Sequence, residues 1–492
     1  MSKFPLLSRR QFHAALLSTC WGAVRVGTAF SAASETARKP FSGIVSIEHQ
    51  GVFINECTLP GQTRKDDVVP RQGNCIQVSR DRWLMLYATH GFRGVDDERS
   101  IVYQLRRGSP DSPVIREGFL ARDQSDWDAL GDGGKSAGEG KCYFKQHGHI
   151  VAFGVPKGAL IHGQPARNAN VFMAKWRTLG RILDKKQNFL IRKAEFTLSD
   201  LTLRTQNVEC VQFRLNDRED DIELLQPVRP LRQKGFEEGK QFCSAVDAGW
   251  MNQSFVPAVP FNVDGTEWVD CNHFGQYRLA VLKYRFNPQL GLYEWVEMGP
   301  FIRDPSGKRL LSEASLARVD GRWIIGGRVR NGKGVGWIST ENPFAPMPEP
   351  TFPENPGTTS PISAFCCPDG VLRLFGTDST ISPYHNTRDP LYCWEIDPQR
   401  GFTASEPRII FDTVAARLPF RPEVEPKADF CKLLPSHGRT QLLIHSVCTR
   451  AYNLPHPQPQ KVPAVSAEEK AHCALYYARI TWREPAAARW QF

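Results

Sequence analysis

Short apolar or alternating segments recur along the whole chain, and most of them begin at a turn. The clearest are WLMLYAT (83–89), HIVAFGV (149–155), RLAVLKY (278–284), WIIGGRV (323–329), VLRLFGT (371–377) and TQLLIHS (440–446). Short runs of this kind, bounded by turn residues, are typical of β-strands. Long amphipathic helical patterns are absent from the sequence. The pattern therefore predicts an all-β protein.

The predicted strands follow one another in repeated units of turn, short strand and polar loop, and no break in composition marks a linker. Such repetition favours a β-propeller, in which small sheets are arranged radially around an axis. If each blade takes about 65 residues with its long loops, residues 34–492 form a seven-bladed β-propeller. Six blades with larger insertions are the alternative. A β-sandwich with a second domain fits less well, because no linker is visible.

Residues 1–33 have the pattern of a twin-arginine signal. The motif SRRQF (8–12) is followed by a modestly apolar segment (14–24) and by small residues (29–33). Arg25 interrupts the apolar segment before the roughly 20 residues that a membrane-spanning helix requires. We therefore expect a cleaved Tat signal, a single propeller domain over 34–492, and a periplasmic or secreted protein without stable membrane insertion. An uncleaved anchor is the alternative.

The net charge is a moderate positive excess. It is +10 for the full chain, and residues 1–33 contain four basic and no acidic residues. The remaining excess suits capture of a polyanion by local clusters of basic side chains. No lysine or arginine tract and no zinc-finger spacing appears, so we expect no nucleic-acid partner. Of the thirteen cysteines, one lies in the signal. Nothing fixes a disulfide pairing among the others, and we expect most to be buried thiols.

The best candidate for an active-site floor is the segment 141–176. His147 and His149 are separated by one glycine at the head of an apolar run. Side chains alternate across a strand, so both imidazoles would lie on one face and could converge on one ligand. The glycine would let a sugar ring approach closely. Two ordinary strand histidines, one buried and one solvated, are the alternative.

Three blocks of the first third of the chain resemble sialidase-related propellers, and more narrowly the group that includes ulvan lyases and α-L-rhamnosidases or rhamnosyl-glucuronate lyases. The blocks are GVFINECTLPGQTRKDDVVPRQGNC (51–75), RWLMLYATHGFRGVDDERSIVYQLR (82–106) and YFKQHGHIVAFGVPKG (143–158). The resemblance implies an enzyme that acts on an acidic polysaccharide containing glucuronic acid and rhamnose, with a histidine-centred site. The arginine-isoleucine-proline motif of sialidases is absent, which argues against a sialidase. Asn168 and Asn170 stand where the ulvan lyases lead us to look for a second histidine.

Elimination from a uronic acid requires a cation that neutralises the carboxylate, a base for the C5 proton and an acid for the leaving oxygen. Histidine suits the base or acid because its ordinary pKa lies near working pH. His147 is the first choice for this role, and His149 would orient it or bind substrate. Asn168 and Asn170 would donate hydrogen bonds to the sugar.

Other candidates are polar side chains at strand ends. His90 and Arg93 follow one predicted strand, where the arginine could grip a carboxylate or belong to a salt-bridged loop. Arg328 ends another strand, with Glu313 upstream, and suits anion binding or a structural ion pair. The loop STISPYHNTRDP (379–390) contains the remaining set, a tyrosine, a histidine and an arginine. These are Tyr384 and His385 as catalytic candidates and Arg388 as a substrate-binding candidate.

Two further hypotheses concern a metal site and an alternative catalytic histidine. Cys271 and His273 supply two metal ligands at most, and Cys243 could add a third for a structural zinc or calcium ion. His49 is the alternative catalytic residue, because the resemblance to rhamnosidases places a hydrolytic histidine on the opposite face of the propeller. The leading function is a polysaccharide lyase. A rhamnosidase-like glycoside hydrolase and a non-catalytic sugar-binding propeller are the alternatives.

Overall fold

Six antiparallel sheets of three or more strands, and one two-stranded hairpin, follow one another along the described part of the chain. The computed structural model describes residues 41–54, 68–91, 98–121, 142–147, 151–161, 163–182, 202–230, 250–251, 267–274, 278–287, 289–329, 331–358, 360–384, 388–434, 438–449, 465–486 and 490–492. Within the described residues there are 27 strands and almost no helix. The all-β prediction is confirmed, and the sheets form a β-propeller.

The first strand, β1 (Ile44–Ile54), belongs to the last blade, so blade 1 begins at the second strand. Blade 1 consists of β2 (Val68–Ser79), β3 (Arg82–Gly91), β4 (Glu98–Arg107) and β5 (Val114–Ala121). Blade 2 consists of β6 (Cys142–His147), β7 (Val151–Val155), the small hairpin β8 (Leu160–Ile161) and β9 (Gln164–Pro165), and β10 (Asn170–Ile182), β11 (Thr202–Leu215) and β12 (Ile222–Pro230). Both β6 and β7 pair with β10, which makes them the innermost part of the blade.

Blades 3 and 4 are simpler meanders. Blade 3 consists of β13 (Trp250–Met251), β14 (Glu267–Phe274), β15 (Arg278–Asn287) and β16 (Leu292–Met298). Blade 4 consists of β17 (Leu311–Val319), β18 (Arg322–Val329) and β19 (Val335–Thr340). An isolated bridge between Trp337 and Thr351 extends blade 4 by one irregular segment.

Blades 5 and 6 complete the ring. Blade 5 consists of β20 (Ser363–Cys366), β21 (Leu372–Gly376), β22 (Leu391–Asp397), β23 (Thr403–Ala404) and β24 (Arg408–Phe411). Blade 6 consists of β25 (Pro426–Leu433), β26 (Gly438–Thr449), β27 (Ala474–Ala486) and, outermost, β1. One short helix, α1 (Ala467–Ala471), precedes β27, and single 3-10 turns cover Pro398–Arg400 and Pro422–Val424. The described residues thus form six blades, the smaller of the two numbers that the sequence allowed.

The ring is closed by the pairing of β1 with β27, which runs from Ile44 opposite Trp482 to Ile54 opposite Leu475. The entry to β1 is held by Arg373, whose fully buried guanidinium donates to the Ser42 carbonyl at 2.9 Å and forms ion pairs with Asp369 and Glu395. Ser42 in turn donates its backbone N–H to Glu395 at 3.0 Å. These buried charged hydrogen bonds attach the first described residues firmly to blade 5.

A second closure lies at the other end of the chain. Trp490 is buried in the apolar cluster shared by blades 1 to 3, and the Gln491 carbonyl accepts a hydrogen bond from the Leu160 N–H at 2.7 Å. Residues 490–492 therefore leave blade 6 and pack beside blade 2. Among the described residues, no helix is long and apolar enough to cross a membrane.

The innermost strands of blades 4, 5 and 6 lie side by side at matching heights. Ser315 Oγ of β17 accepts from the Ala364 N–H of β20 at 2.8 Å, and Ser363 Oγ donates to the Cys431 carbonyl of β25 at 2.7 Å. The innermost strands all begin at one end of the ring, which we call the upper face. Residues near the start of these strands, and in the loops that precede them, therefore surround the axial opening at that face.

Candidate functional site

The innermost strands of three blades contain a β-bulge at the same position. Two residues of the inner strand lie opposite one residue of the next strand at 72–73 in β2, 313–314 in β17 and 430–431 in β25. Glu313 and Phe430 occupy these bulges with φ of 45° and 55°. Left-handed conformations are costly for residues with a side chain, and bulges and strained residues are common beside active sites. The bulges mark the upper face as the candidate site.

The bulge of β17 presents a buried carboxylate to an arginine. The Glu313 side chain is 8% exposed, and its Oε2 accepts a hydrogen bond from Nη1 of Arg328, whose side chain is 11% exposed. Arg328 lies opposite Ser312 near the end of β18. The glutamate–arginine pair considered from the sequence therefore forms, and it lies at the upper ends of both strands.

A second pair joins blade 5 to blade 6. Arg388 Nη1 donates to Asp429 Oδ2 at 2.6 Å, and the Asp429 side chain is fully buried, whereas that of Arg388 is 20% exposed. Asp429 directly precedes the bulge of β25. Glu313 lies two residues before Ser315, and Asp429 lies two residues before Cys431. Ser315 and Cys431 are the residues that are hydrogen-bonded to β20. Ser315 is bonded to Ala364 and Cys431 to Ser363, so Glu313 and Asp429 lie on either side of β20, one residue apart in height.

Tyr384 lies on the same upper-face loop as Arg388. Its hydroxyl donates to Asp412 Oδ2 at 2.6 Å, while the other Asp412 oxygen accepts backbone N–H groups of Val414 and Ala415. The loop also rests on Tyr392, a tyrosine whose pKa is raised by burial and then by the negative charges of three aspartates. Tyr384 is therefore positioned by a fixed carboxylate, next to the Arg388 segment.

The predicted histidines lie mostly outside the described side chains. His147 is the last residue of β6, in register with Arg177, and its side chain lies outside the described atoms, as does that of His49 on β1 and that of His90 on β3. His149, His385 and Arg93 lie wholly outside the described residues. Their catalytic and binding roles stay predictions.

Asn168 and Asn170 lie at a different height from His147. Asn170 is the first residue of β10 and pairs with Val155, whereas His147 pairs with Arg177 on the same strand. Seven residues of strand separate the two registers, about 23 Å at the rise of an extended chain. Asn170 is 7% exposed and Asn168 is partly exposed. The structure therefore does not bring the two asparagines together with His147.

The metal hypothesis rests on residues that are only partly described. Cys271 and His273 lie on β14 with side chains outside the described atoms, and Cys243 lies outside the described residues. Among the side chains that are described, no group of three His, Cys, Asp or Glu could hold a metal ion. The zinc or calcium ion stays a prediction.

Sequence analysis missed Asp429 and Asp412. Asp429 lies in the segment KADFCKLL (427–434), where a charge interrupts an otherwise apolar strand. An acid inside such a strand must be paired or hydrogen-bonded once it is buried, so this interruption was the available signal. Asp412 lies after β24 in a turn, and nothing in its local pattern distinguishes it from an ordinary capping residue.

Comparisons with known proteins give similarity of fold at low identity. No protein-family model matches the chain, and no curated protein matches it. A protein of unknown function from Dyadobacter fermentans is 10% identical over 90% of this chain and 100% of its own, with a TM-score of 0.48. The NanB sialidase from Streptococcus pneumoniae is 9% identical over 88% of this chain and 70% of its own, also with a TM-score of 0.48. An α-L-arabinofuranosidase from Lactobacillus brevis is 9% identical over 86% of this chain and 96% of its own, with a TM-score of 0.36. Similarity at this level carries no conclusion about activity.

Proposed function

We propose that the chain is a carbohydrate-active enzyme that cleaves an acidic polysaccharide containing glucuronate and rhamnose. Cleavage would take place at the upper face of the propeller. The observation that carries this proposal is the presence of two arginine–carboxylate pairs with buried carboxylates, Arg328–Glu313 and Arg388–Asp429, within one residue of the same height near the axial opening. A guanidinium that is already oriented by one carboxylate can bind a second, from a uronic acid, with its remaining donors.

β-Elimination is the leading chemistry. Arg388 or Arg328 would neutralise the uronate carboxylate and so acidify the C5 proton. Tyr384, on the same loop as Arg388, would transfer to the departing oxygen the hydroxyl proton that it donates to Asp412 in the absence of substrate. The base would be a histidine, with His147 as first choice and His149 or His385 as the others. Imidazole is the side chain whose ordinary pKa best suits proton abstraction near neutrality.

Glycoside hydrolysis is the second candidate, and Glu313 favours it. Its carboxylate is held on a strained bulge at the axial opening, and hydrolysis of a glycosidic bond generally uses a pair of carboxyl groups. Asp429 is a second buried carboxylate, within one residue of that height. Export through a twin-arginine signal, with action in the periplasm or outside the cell, is part of the proposal in either case.

One experiment separates these possibilities. The protein without residues 1–33 is incubated with ulvan, gum arabic and a glucuronan, and both ultraviolet absorbance and reducing ends are followed. New absorbance from an unsaturated uronate indicates elimination, and reducing ends without it indicate hydrolysis. His147→Ala should abolish the first activity, and Glu313→Gln should abolish the second. If the wild-type protein binds these glycans and produces neither signal, the enzymatic proposal is wrong and the propeller is a sugar-binding module.

A further inference from the structure

Four basic side chains are exposed on two upper-face loops of blade 4. Arg303, Lys308 and Arg309 lie on the connection that leads into β17, and Lys333 lies on the turn between β18 and β19. We call these four residues the blade 4 basic rim. Both loops adjoin the strand ends that hold Glu313 and Arg328, so the rim lies beside the axial opening.

The two loops are fixed to each other by one asparagine. Asn331 Oδ1 accepts the Leu310 N–H at 2.9 Å, and Asn331 Nδ2 donates to the Lys308 carbonyl at 2.8 Å. The backbone under the rim is thus held in place by hydrogen bonds. A surface that is ordered before binding loses less conformational entropy when a ligand arrives.

The acid within the rim is turned inward. Asp304 is 7% exposed, and its carboxylate accepts hydrogen bonds from the Ser306 N–H, the Ser306 hydroxyl and the Arg309 N–H. Burial would raise the pKa of Asp304, but these hydrogen bonds and the positive charge of Arg309 outweigh it, and the pKa is lowered. The carboxylate is thus used to shape the loop. The charge of Arg309 acts on this carboxylate, but among the described residues no rim side chain lies within ion-pair distance of it.

The four rim cations have no ion-pair partner among the described residues. Glu354, an exposed acid on the neighbouring segment, is not within ion-pair distance of any of them. The Arg309 guanidinium lies 4.4 Å from the centre of the Phe352 ring. Stacking on an aromatic face holds the guanidinium plane in one orientation and leaves the donors at its edge available. The rim therefore presents to solvent four cations that have no ion-pair partner among the described residues, and the guanidinium of one of them, Arg309, is oriented.

We propose that the blade 4 basic rim binds the part of an acidic polysaccharide chain that extends beyond the sugar in the axial opening. This inference rests on the proposed function and specifies where the polymer lies. A polyuronate repeats a carboxylate at every acidic sugar, so a chain leaving the opening over blade 4 meets several cations in succession. Single exposed contacts are weak, but several together give a salt-dependent affinity for long chains only.

The test uses the whole protein and glucuronan oligosaccharides of two lengths, a disaccharide and an octasaccharide. Binding is measured by calorimetry at low and at physiological ionic strength. The rim variant replaces Arg303, Lys308, Arg309 and Lys333 by Ser. We expect it to lose about tenfold in affinity for the octasaccharide, with a weaker salt dependence, and to bind the disaccharide as the wild type does.

A matched control removes the same number of charges from the opposite face. Arg80, Arg107, Arg218 and Arg400 are exposed on turns at that end of the blades, and their replacement by Ser should leave octasaccharide affinity unchanged. Equal octasaccharide affinity in the rim variant and the wild type would overturn this inference alone. The inference would also be overturned if the wild type bound a DNA oligonucleotide of equal charge more tightly than the octasaccharide, because the rim would then select another polymer. If the wild type binds neither oligosaccharide, the proposed function itself fails.

Discussion

Arg388 contacts two consecutive residues of β25 in different ways. Its guanidinium donates to Asp429 Oδ2 at 2.6 Å, and its backbone carbonyl accepts the Ala428 N–H at 2.8 Å. One residue of the blade 5 loop thereby fixes both the charge and the backbone at the start of the innermost strand of blade 6. The pair contributes to the fold and to the candidate site at the same time.

Replacement of Arg388 by Ala should destabilise the protein by about 3–5 kcal/mol, because a fully buried carboxylate loses its cation. Urea unfolding measures the change. Asp429→Asn in the Arg388→Ala background removes the uncompensated charge, and we expect it to restore part of the stability. An unfolding midpoint equal to that of the wild type in the single Arg388→Ala variant would contradict the structural role of the pair.

Two glycines at the closing strand provide a matched comparison. Gly43 and Gly51 have φ of 82° and 89°, so an alanine is strained at both positions. A Cβ at Gly43 would overlap Asp369 Oδ2 and Arg373 Nη2, whereas a Cβ at Gly51 meets no atom within 4 Å. We expect Gly43→Ala to cost about 2 kcal/mol more than Gly51→Ala in thermal or urea unfolding. Equal effects would show that the Arg373 contacts do not hold the entry to β1.

Glu469 makes the stability of blade 6 depend on pH. Burial alone would raise the pKa of its carboxyl, but hydrogen bonds from Arg421 and Ser466 outweigh burial and lower the pKa from 4.5 to about 2. Because the folded pKa is lowered, this stabilisation is present above about pH 4.5 and is lost as the pH falls toward about 2.

Glu469→Gln should therefore be less stable than the wild type by about 2 kcal/mol at neutral pH, and the two proteins should converge near pH 2. Urea unfolding over this pH range measures the difference. Glu468→Gln on the same helix is the control, since its side chain is exposed and it should follow the wild type. A constant gap between Glu469→Gln and the wild type at all pH values would rule out the titration of Glu469 as the cause.

The described cysteines should resist thiol reagents in the folded protein. Seven of them are free thiols, and six of these are buried. Burial raises the pKa of Cys75, Cys367 and Cys431 to about 12, and that of the partly exposed Cys366 to about 11. Because the thiolate is the reactive form, native labelling of these seven thiols at pH 8 should be slow, and among them it should begin at Cys366. Peptide mapping by mass spectrometry, with unfolded protein as the control, measures this order. Early labelling of Cys75 would contradict it.

The strands were predictable from local pattern, but the number of blades was not. The segment WIIGGRV (323–329) corresponds closely to β18, because alternation and the preceding turn are local signals. Blade 4 spans only Leu311 to Thr340, whereas blades 1 and 2 together span Val68 to Pro230 with long insertions. Insertions leave no periodic signal, so dividing the length by an average blade favoured seven blades over six.

The pairs at the candidate site depend on the tertiary fold. Arg388 and Asp429 are 41 residues apart, and Tyr384 and Asp412 are 28 apart, so only the ring geometry brings them together. The polar loop 379–390 could be selected from composition, but its partners could not. The strained conformation of Glu313 could not be predicted from the sequence either, because no glycine marks the bulge.

The double closure of the ring has a consequence for synthesis on the ribosome. The outer strand of blade 6 is made first and its three other strands last, and Trp490 reaches blade 2 only after that. A nascent chain with five finished blades is still an open arc whose two flanks expose apolar side chains. The ring cannot close before β27 and residues 490–492 have been made, so the open arc is exposed to aggregation until then, and any export route that carries the protein folded must wait for these residues.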